Sequence, residues 1–156
     1  MRDTSFLPDD FEPPGGLVTP DFMLEPLGPQ HNTRDHAAWT SSMAHILATP
    51  GIVDLAGDEA PWPVPMAPDE NLRDLERHAE DFAARRGFTY TVLDPESRDV
   101  IGCLYIYPPR DDDHDVRVQS WVRASHAELD AVLWRAVSNW LAAEWPFRNP
   151  EYAPRT

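Results

Sequence analysis

The sequence contains no lysine; all thirteen basic residues are arginine. A phosphate-binding P-loop with its lysine, a Schiff-base lysine and pyridoxal chemistry anchored on one are therefore excluded. Cysteine is nearly as scarce. Cys103 stands alone, which rules out an intramolecular disulfide framework and a multi-cysteine zinc site and is compatible with a reducing compartment. Positive charge is also short, with 27 Asp and Glu against 13 Arg and a net charge of −14. Polyanions bind through clustered cations, so neither nucleic acid nor an anionic membrane is an expected partner. No segment approaches the ~18 apolar residues of a membrane span, and MRDTSFLPDDFEPPGG has no apolar run of signal length. The expectation is a soluble, cytoplasmic, acidic protein.

At 156 residues with 42% hydrophobic content the chain suits one domain with a real core, and its 17 prolines imply long irregular stretches. Residues 1–21 are rich in Pro and carry Gly15-Gly16, which reads as an arm preceding a single domain over 22–156. Phe6, Leu7 and Phe11 could pin the arm to the domain or to a partner subunit, and a disordered tail is the equal alternative. Phe22 to Leu27 reads as an edge strand, since Pro26 lies inside it. Pro29 opens a helix through Trp39, and Ser41-Ser42 marks a second short one. Residues 50–68 form a Pro-rich loop with Trp62 as its rigid anchor. Asp69 is placed to cap a helix whose apolar stripe is Leu72, Leu75, Ala79, Phe82 and Ala83, with Gly87 as its C-terminal left-handed residue. Phe88–Leu93 and Val100–Tyr107, joined by DPESR, read as an antiparallel hairpin.

The most informative stretch is VRVQSWVRASHAELDAVLWRAVSNWLAAEW, from Val116 to Trp145. Val116, Val118, Ser120 and Val122 alternate with Arg117, Gln119, Trp121 and Arg123, the period of a strand. Ser125 and Glu128 then form the S-x-x-E capping pattern, and Leu129, Val132, Leu133, Ala136, Val137, Trp140 and Leu141 recur at helical spacing until Pro146. A strand running directly into a helix aims unpaired N–H groups off its end, so Arg123 to Ala127 is the expected anion or ligand position. After Trp145, FRNPEYAPRT predicts a last short edge strand.

In order, strand, two helices, Pro-rich loop, helix, hairpin, strand and helix, this chain resembles the GCN5-related N-acetyltransferases. The echoes are FMLEPLGPQH, FTYTVLDPESRDVIGCLYIYP with Gly102, and VQSWVR before the long helix, over roughly residues 22–145. WTSSMAHI, GFTYTVLDP and SWVRASHAELD are similar to bacterial proteins described as acetyltransferase-like. The resemblance implies an α/β (α+β) fold with an antiparallel-to-mixed sheet flanked by helices, shortened at its C-terminus. It also implies acetyl-coenzyme A as cofactor, an amine acceptor and no metal. The cofactor residues it points to are Trp121, Val122 and Arg123 along the strand edge, with Ser125, His126 and Ala127 at the helix start. The family's pattern has spaced glycines there, whereas this chain has no glycine after Gly102 and carries Glu128 and Asp130 in the helix's first turn. The family also continues with another helix and two strands, so a homodimer or the N-terminal arm would have to complete the acceptor wall.

Two functions stay open: an acyl-coenzyme A dependent N-acetyltransferase acting on an unidentified amine, and a non-catalytic ligand-binding or protein-interaction module that has lost the pyrophosphate loop. Glu25 and Tyr105 qualify as bases by location only, and no catalytic residue is assigned. His31, His36 and His45 scatter around a helix and make no zinc site. The Asp111–Asp115 run with His114 lacks the glycine and distal glutamate of a calcium loop. Cys103, mid-strand without an adjacent base, reads as a buried thiol. The acidic balance favours a cationic acceptor.

Overall fold

The computed structural model describes residues 6–52 and 62–155. Its centre is one sheet in the order β1-β2-β3-β4-β5-β6, formed by Leu17–Val18, Met23–Pro26, Phe88–Leu93, Val100–Tyr107, Val116–Val122 and Pro150–Tyr152. Every neighbouring pair is antiparallel except β5 and β6, which run parallel. A parallel pair needs a crossover, and α4 (Leu129–Glu144) supplies it. The helices α1 (Asn32–Thr40), α2 (Met43–Leu47) and α3 (Pro68–Ala83) lie between β2 and β3 in the chain. The antiparallel-to-mixed sheet with flanking helices is the architecture the sequence implied.

Strand alternation divides the core into two clusters. Tyr90, Val92, Leu104, Ile106, Val116, Val118 and Val122 share one with Leu133, Val137 and Leu141 of α4. Leu133 and Val137 are fully buried, and each buried aliphatic side chain of this kind is worth about 1.5–3 kcal/mol. Trp39, Ile46, Leu75, Cys103, Tyr105 and Trp121 form the second cluster, under α1 to α3. Residues of the Pro-rich N-terminal stretch pack on the first: Leu7 is buried, Phe11 meets Trp145, and Arg85 donates to the carbonyls of Pro8 and Phe11.

Four local expectations are corrected. The strand at Met23–Pro26 is not an edge, because Leu17 and Val18 pair outside it. Asp69 does not cap α3; that helix starts at Pro68, and Glu70 accepts the Ala67 N–H at 3.1 Å. The left-handed residue after α3 is Arg85 at φ 62°, while Gly87 is needed because a Cβ there would overlap the Tyr107 ring. The Ser125–Glu128 capping box does not form. A 3-10 turn at Ala124–His126 intervenes, with i→i−3 bonds from His126 N to Arg123 O at 2.9 Å and from Ala127 N to Ala124 O at 3.3 Å, and the Ser125 hydroxyl meets His126 Nδ1 at 2.9 Å instead of the helix start. Glu128 precedes the helix with no side-chain cap.

Candidate active site

A cavity of about 440 Å³ opens on the face of the sheet covered by α1 and α3. Period-two alternation sends Tyr105 and Tyr107 of β4 and Arg117, Gln119 and Trp121 of β5 to this face. From α3, Asn71, Asp74, Leu75 and His78 line it at the three- and four-residue spacing of one helical face, and Asp35 and Trp39 of α1 do the same from the other side. Trp62 completes an aromatic wall, its ring 5.4 Å from Trp39 and 6.1 Å from Trp121.

Burial sets the ionisation of this wall. Asp35 is 4% exposed, and desolvation raises its pKa from 3.8 to about 6 against the opposing hydrogen bond from Asn71 Nδ2 at 3.1 Å. Asn71 is itself held by Trp39, whose Nε1 donates to Asn71 Oδ1 at 3.0 Å. His78 moves the other way, from 6.5 to about 4, again mainly by desolvation, so it is neutral near pH 7. Its Nδ1 lies 3.0 Å from both the Tyr107 hydroxyl and Thr89 Oγ1. Tyr107 donates to Asp81 Oδ2 at 3.1 Å. With its proton spent there, the Tyr107 oxygen accepts from His78 Nδ1–H, which makes Nε2 the open acceptor of the ring. Desolvation pushes the hydroxyls of Tyr105 and Tyr107 above their ordinary range, and Tyr105 accepts Trp121 Nε1–H at 3.0 Å.

On the far side of β5 the sheet comes apart. β6 pairs only with Val116, Arg117 and Val118, leaving Gln119 to Val122 without a strand partner there. The Arg155 side chain enters this gap, donating from Nη2 to Ser120 O at 2.7 Å and from Nε to Asp130 Oδ2 at 2.9 Å. Backbone direction alternates along a strand. With the Ser120 carbonyl turned to Arg155, the N–H groups of Ser120 and Val122 also face the gap, whereas Trp121 faces β4 across the pair Cys103↔Trp121.

The structure separates the residues singled out in the sequence. Trp121 is fully buried and its side chain lines the cavity, while Val122 presents backbone to the gap. The Arg123 side chain is spent on Asp99 at 3.5 Å, the Val100 carbonyl and Ser41 Oγ. Ser125 and Ala127 are exposed, and Ser125 Oγ meets His126 Nδ1 at 2.9 Å. The Ala124 N–H is taken by Ser42 Oγ at 2.9 Å. Glu25 lies away from the cavity lining, clamped by His31 Nε2 at 2.8 Å and Arg98 at 2.9 Å. Tyr105 lines it. Cys103 is buried and its thiol is pushed up by desolvation. Asp111, His114 and Glu151 are the one group with metal-ligand proximity among the described residues, but Arg110 donates to both Glu151 oxygens, at 3.2 and 2.8 Å. Sequence reasoning missed Asp35, Asn71, His78 and Tyr107. On α3 the polar residues Asn71, Asp74, His78 and Asp81 recur at three- and four-residue spacing, but that spacing alone does not tell a cavity from solvent.

No family model and no curated protein matches the chain at the level of sequence. Solved structures do match. A ribosomal-protein-S5-alanine acetyltransferase from Vibrio fischeri is similar at TM-score 0.58 and 14% identity, over 81% of this chain and 66% of that one. The microcin C7 self-immunity acetyltransferase MccE, solved with acetyl-CoA and AMP, is similar at TM-score 0.57 and 10% identity, over 83% and 66% of the two chains. The ribosomal L7/L12 α-N-protein acetyltransferase RimL in complex with coenzyme A is similar at TM-score 0.58 and 11% identity, over 80% and 66%. The chain thus spans about two thirds of the length of these structures. It carries the GCN5-related N-acetyltransferase fold.

Proposed function

We propose that the chain is an acyl-coenzyme A dependent N-acetyltransferase whose amine acceptor binds in the cavity between α1, α3 and the sheet. The observation that carries this reading is the juxtaposition of two features across one strand: a carboxylate-bearing cavity on one face of β5, and an unpaired backbone edge from Ser120 to Val122 on its outer side. The neighbouring structures solved with acetyl-CoA or coenzyme A support a cofactor of that class.

The donor set at the edge fits the acyl end of such a cofactor. A thioester carbonyl gains from a fixed N–H where negative charge develops, and Val122 N–H faces the gap without a strand partner. The turn at Ser125, His126 and Ala127 would meet the pyrophosphate end with few donors to offer, since the N–H groups of Ala124, His126 and Ala127 are bonded within the protein, while the neighbouring Asp130 carboxylate is paired to Arg155. Bound there, acetyl-coenzyme A would supply an activated acetyl group. Asp35 holds the acceptor's ammonium at the cavity wall, and the neutral His78 ring, oriented through Tyr107 and Asp81, offers Nε2 to the proton the amine must lose. The indoles of Trp39, Trp62 and Trp121 exclude water from the same space.

Titration calorimetry with acetyl-coenzyme A at low salt tests the reading. The native chain should bind, and Glu128→Gln should bind about two- to five-fold tighter, because a carboxylate beside a helix N-terminus takes up roughly 0.3–1 kcal/mol of the same field. Absence of heat from both proteins would overturn the proposal.

A further inference from the structure

The charges in the cavity are not all spoken for, and the remainder describes a ligand. Asp74 is paired with Arg77 at 2.9 Å, and Asp81 with Arg86 at 3.0 Å and with the Tyr107 hydroxyl. Two charged groups remain. Asp35 receives a single neutral donor, Asn71 Nδ2. The Arg117 side chain makes no hydrogen bond or ion pair among the described residues, and its Nε is buried without a partner. An Arg left unpaired in a wall this rich in carboxylate is unusual on electrostatic grounds alone. Its strand neighbours do not use it: Glu151, its register partner on β6, is held by Arg110.

The two groups sit at different levels of the sheet. Asp35 acts electrostatically on Cys103 and Tyr105, whereas Arg117 is in register with Tyr107. Two to four residues of strand separate these levels, roughly 7–13 Å at about 3.3 Å per residue. Levels this far apart suit a ligand whose amine and carboxylate are separated along an extended chain better than an α-amino acid with both groups on one carbon. An extended peptide of two or three residues spans the interval at roughly 3.3–3.6 Å per residue. The aromatic rings of Trp39 and Trp121, beside Asp35, suit an apolar side chain next to the amine.

We infer that the acceptor is a short peptide-like zwitterion, its free amine beside Asp35 and its terminal carboxylate on the Arg117 guanidinium. The inference rests on the acetyltransferase reading for the fate of the amine, but the binding it predicts needs no cofactor. Arg117 is then a specificity-determining residue, because a charge-assisted, bidentate Arg–carboxylate pair discriminates strongly against a neutral terminus.

The test is titration calorimetry of the full chain with the tripeptide Phe-Gly-Gly, its C-terminal amide and its N-acetyl form, on the native protein, Arg117→Gln and Asp35→Asn. The native protein should bind the free tripeptide at least about tenfold tighter than the amide. Arg117→Gln should bind acid and amide alike, at the native protein's affinity for the amide. Asp35→Asn and N-acetylation should each weaken binding without erasing the preference for acid over amide. Equal affinity of the native protein for acid and amide would overturn the inference, as would an equal loss of both ligands in Arg117→Gln, or no binding of the tripeptide. Acetyl-coenzyme A titrated in parallel separates the two readings. Cofactor binding without carboxylate preference sinks the zwitterion and leaves the transferase, whereas carboxylate preference without cofactor binding does the reverse.

Discussion

Asp35→Asn should make the protein more stable at neutral pH while impairing the site. The folded carboxyl titrates near pH 6 against 3.8 for the free group, so the folded state binds the extra proton between those values. Stability associated with this group is therefore fully present below pH 3.8 and lost as pH rises through 6. At 1.36 kcal/mol for each tenfold, the ionised form costs about 3 kcal/mol at pH 7, about 1.6 at pH 5 and about 0.5 at pH 4. The substitution keeps the geometry, since the new side-chain amide oxygen still accepts from Asn71, and it removes the cost. The wild-type profile alone would hide the effect, because His78 pulls in the opposite direction. Its folded pKa near 4 lies below 6.5, so its contribution is present above pH 6.5 and lost as pH falls toward 4. The difference between variant and wild type isolates Asp35. Urea unfolding at pH 4, 5 and 7 measures it, and the expected gap widens with pH while affinity for a cationic ligand falls. A gap that stays flat across this range, or a variant less stable than wild type at pH 7, would refute the desolvation account.

Arg155→Met removes the guanidinium that bridges Asp130 and the Ser120 carbonyl, leaving a half-buried carboxylate unpaired; the expected loss is about 2–3 kcal/mol in urea unfolding. The same variant uncovers the Asp130 carboxylate beside the turn that would meet the pyrophosphate, so acetyl-coenzyme A should bind it more weakly than wild type. Gly87→Ala drives a methyl into the Tyr107 ring and should cost about 1–3 kcal/mol, read as a melting temperature lower by roughly 2–4 °C for each kcal/mol. Turning that ring also detaches its hydroxyl from Asp81 and His78, so ligand affinity should fall with stability.

The elements were legible because each rests on a local signal. The alternation through Val116–Val122, the helical stripe from Leu129 to Leu141 and the turn chemistry between Phe88–Leu93 and Val100–Tyr107 are properties of neighbours in sequence, and they appear in the structure within a few residues. Helix starts were read less well. Ser125-x-x-Glu128 has the composition of a cap, but the chain forms a 3-10 turn there and the Ser125 hydroxyl meets the His126 ring instead of the helix start. The candidate site divides the same way. The strand-to-helix junction pointed to Arg123–Ala127, and Trp121 and Val122 came only from the family resemblance; in the structure Trp121 turns its backbone to β4 and its side chain to the cavity. Asp35, Asn71 and His78 could not be placed, because nothing in α1 or α3 alone distinguishes a polar residue facing solvent from one facing a cavity.

By itself the sequence determined the absence of lysine chemistry, the strong acidity, the elements and their order, and so the kind of fold they build. Only the tertiary structure decided what those charges do. Asp35 on α1, His78 on α3, Tyr107 on β4 and Arg117 on β5 lie far apart in the chain, and the fold brings them into one cavity. There desolvation, the largest effect on each, raises one carboxyl and keeps one imidazole neutral, and the packing leaves one guanidinium without a partner. Desolvation and pairing are properties of a place, and the place exists only once the helices have closed over the strands.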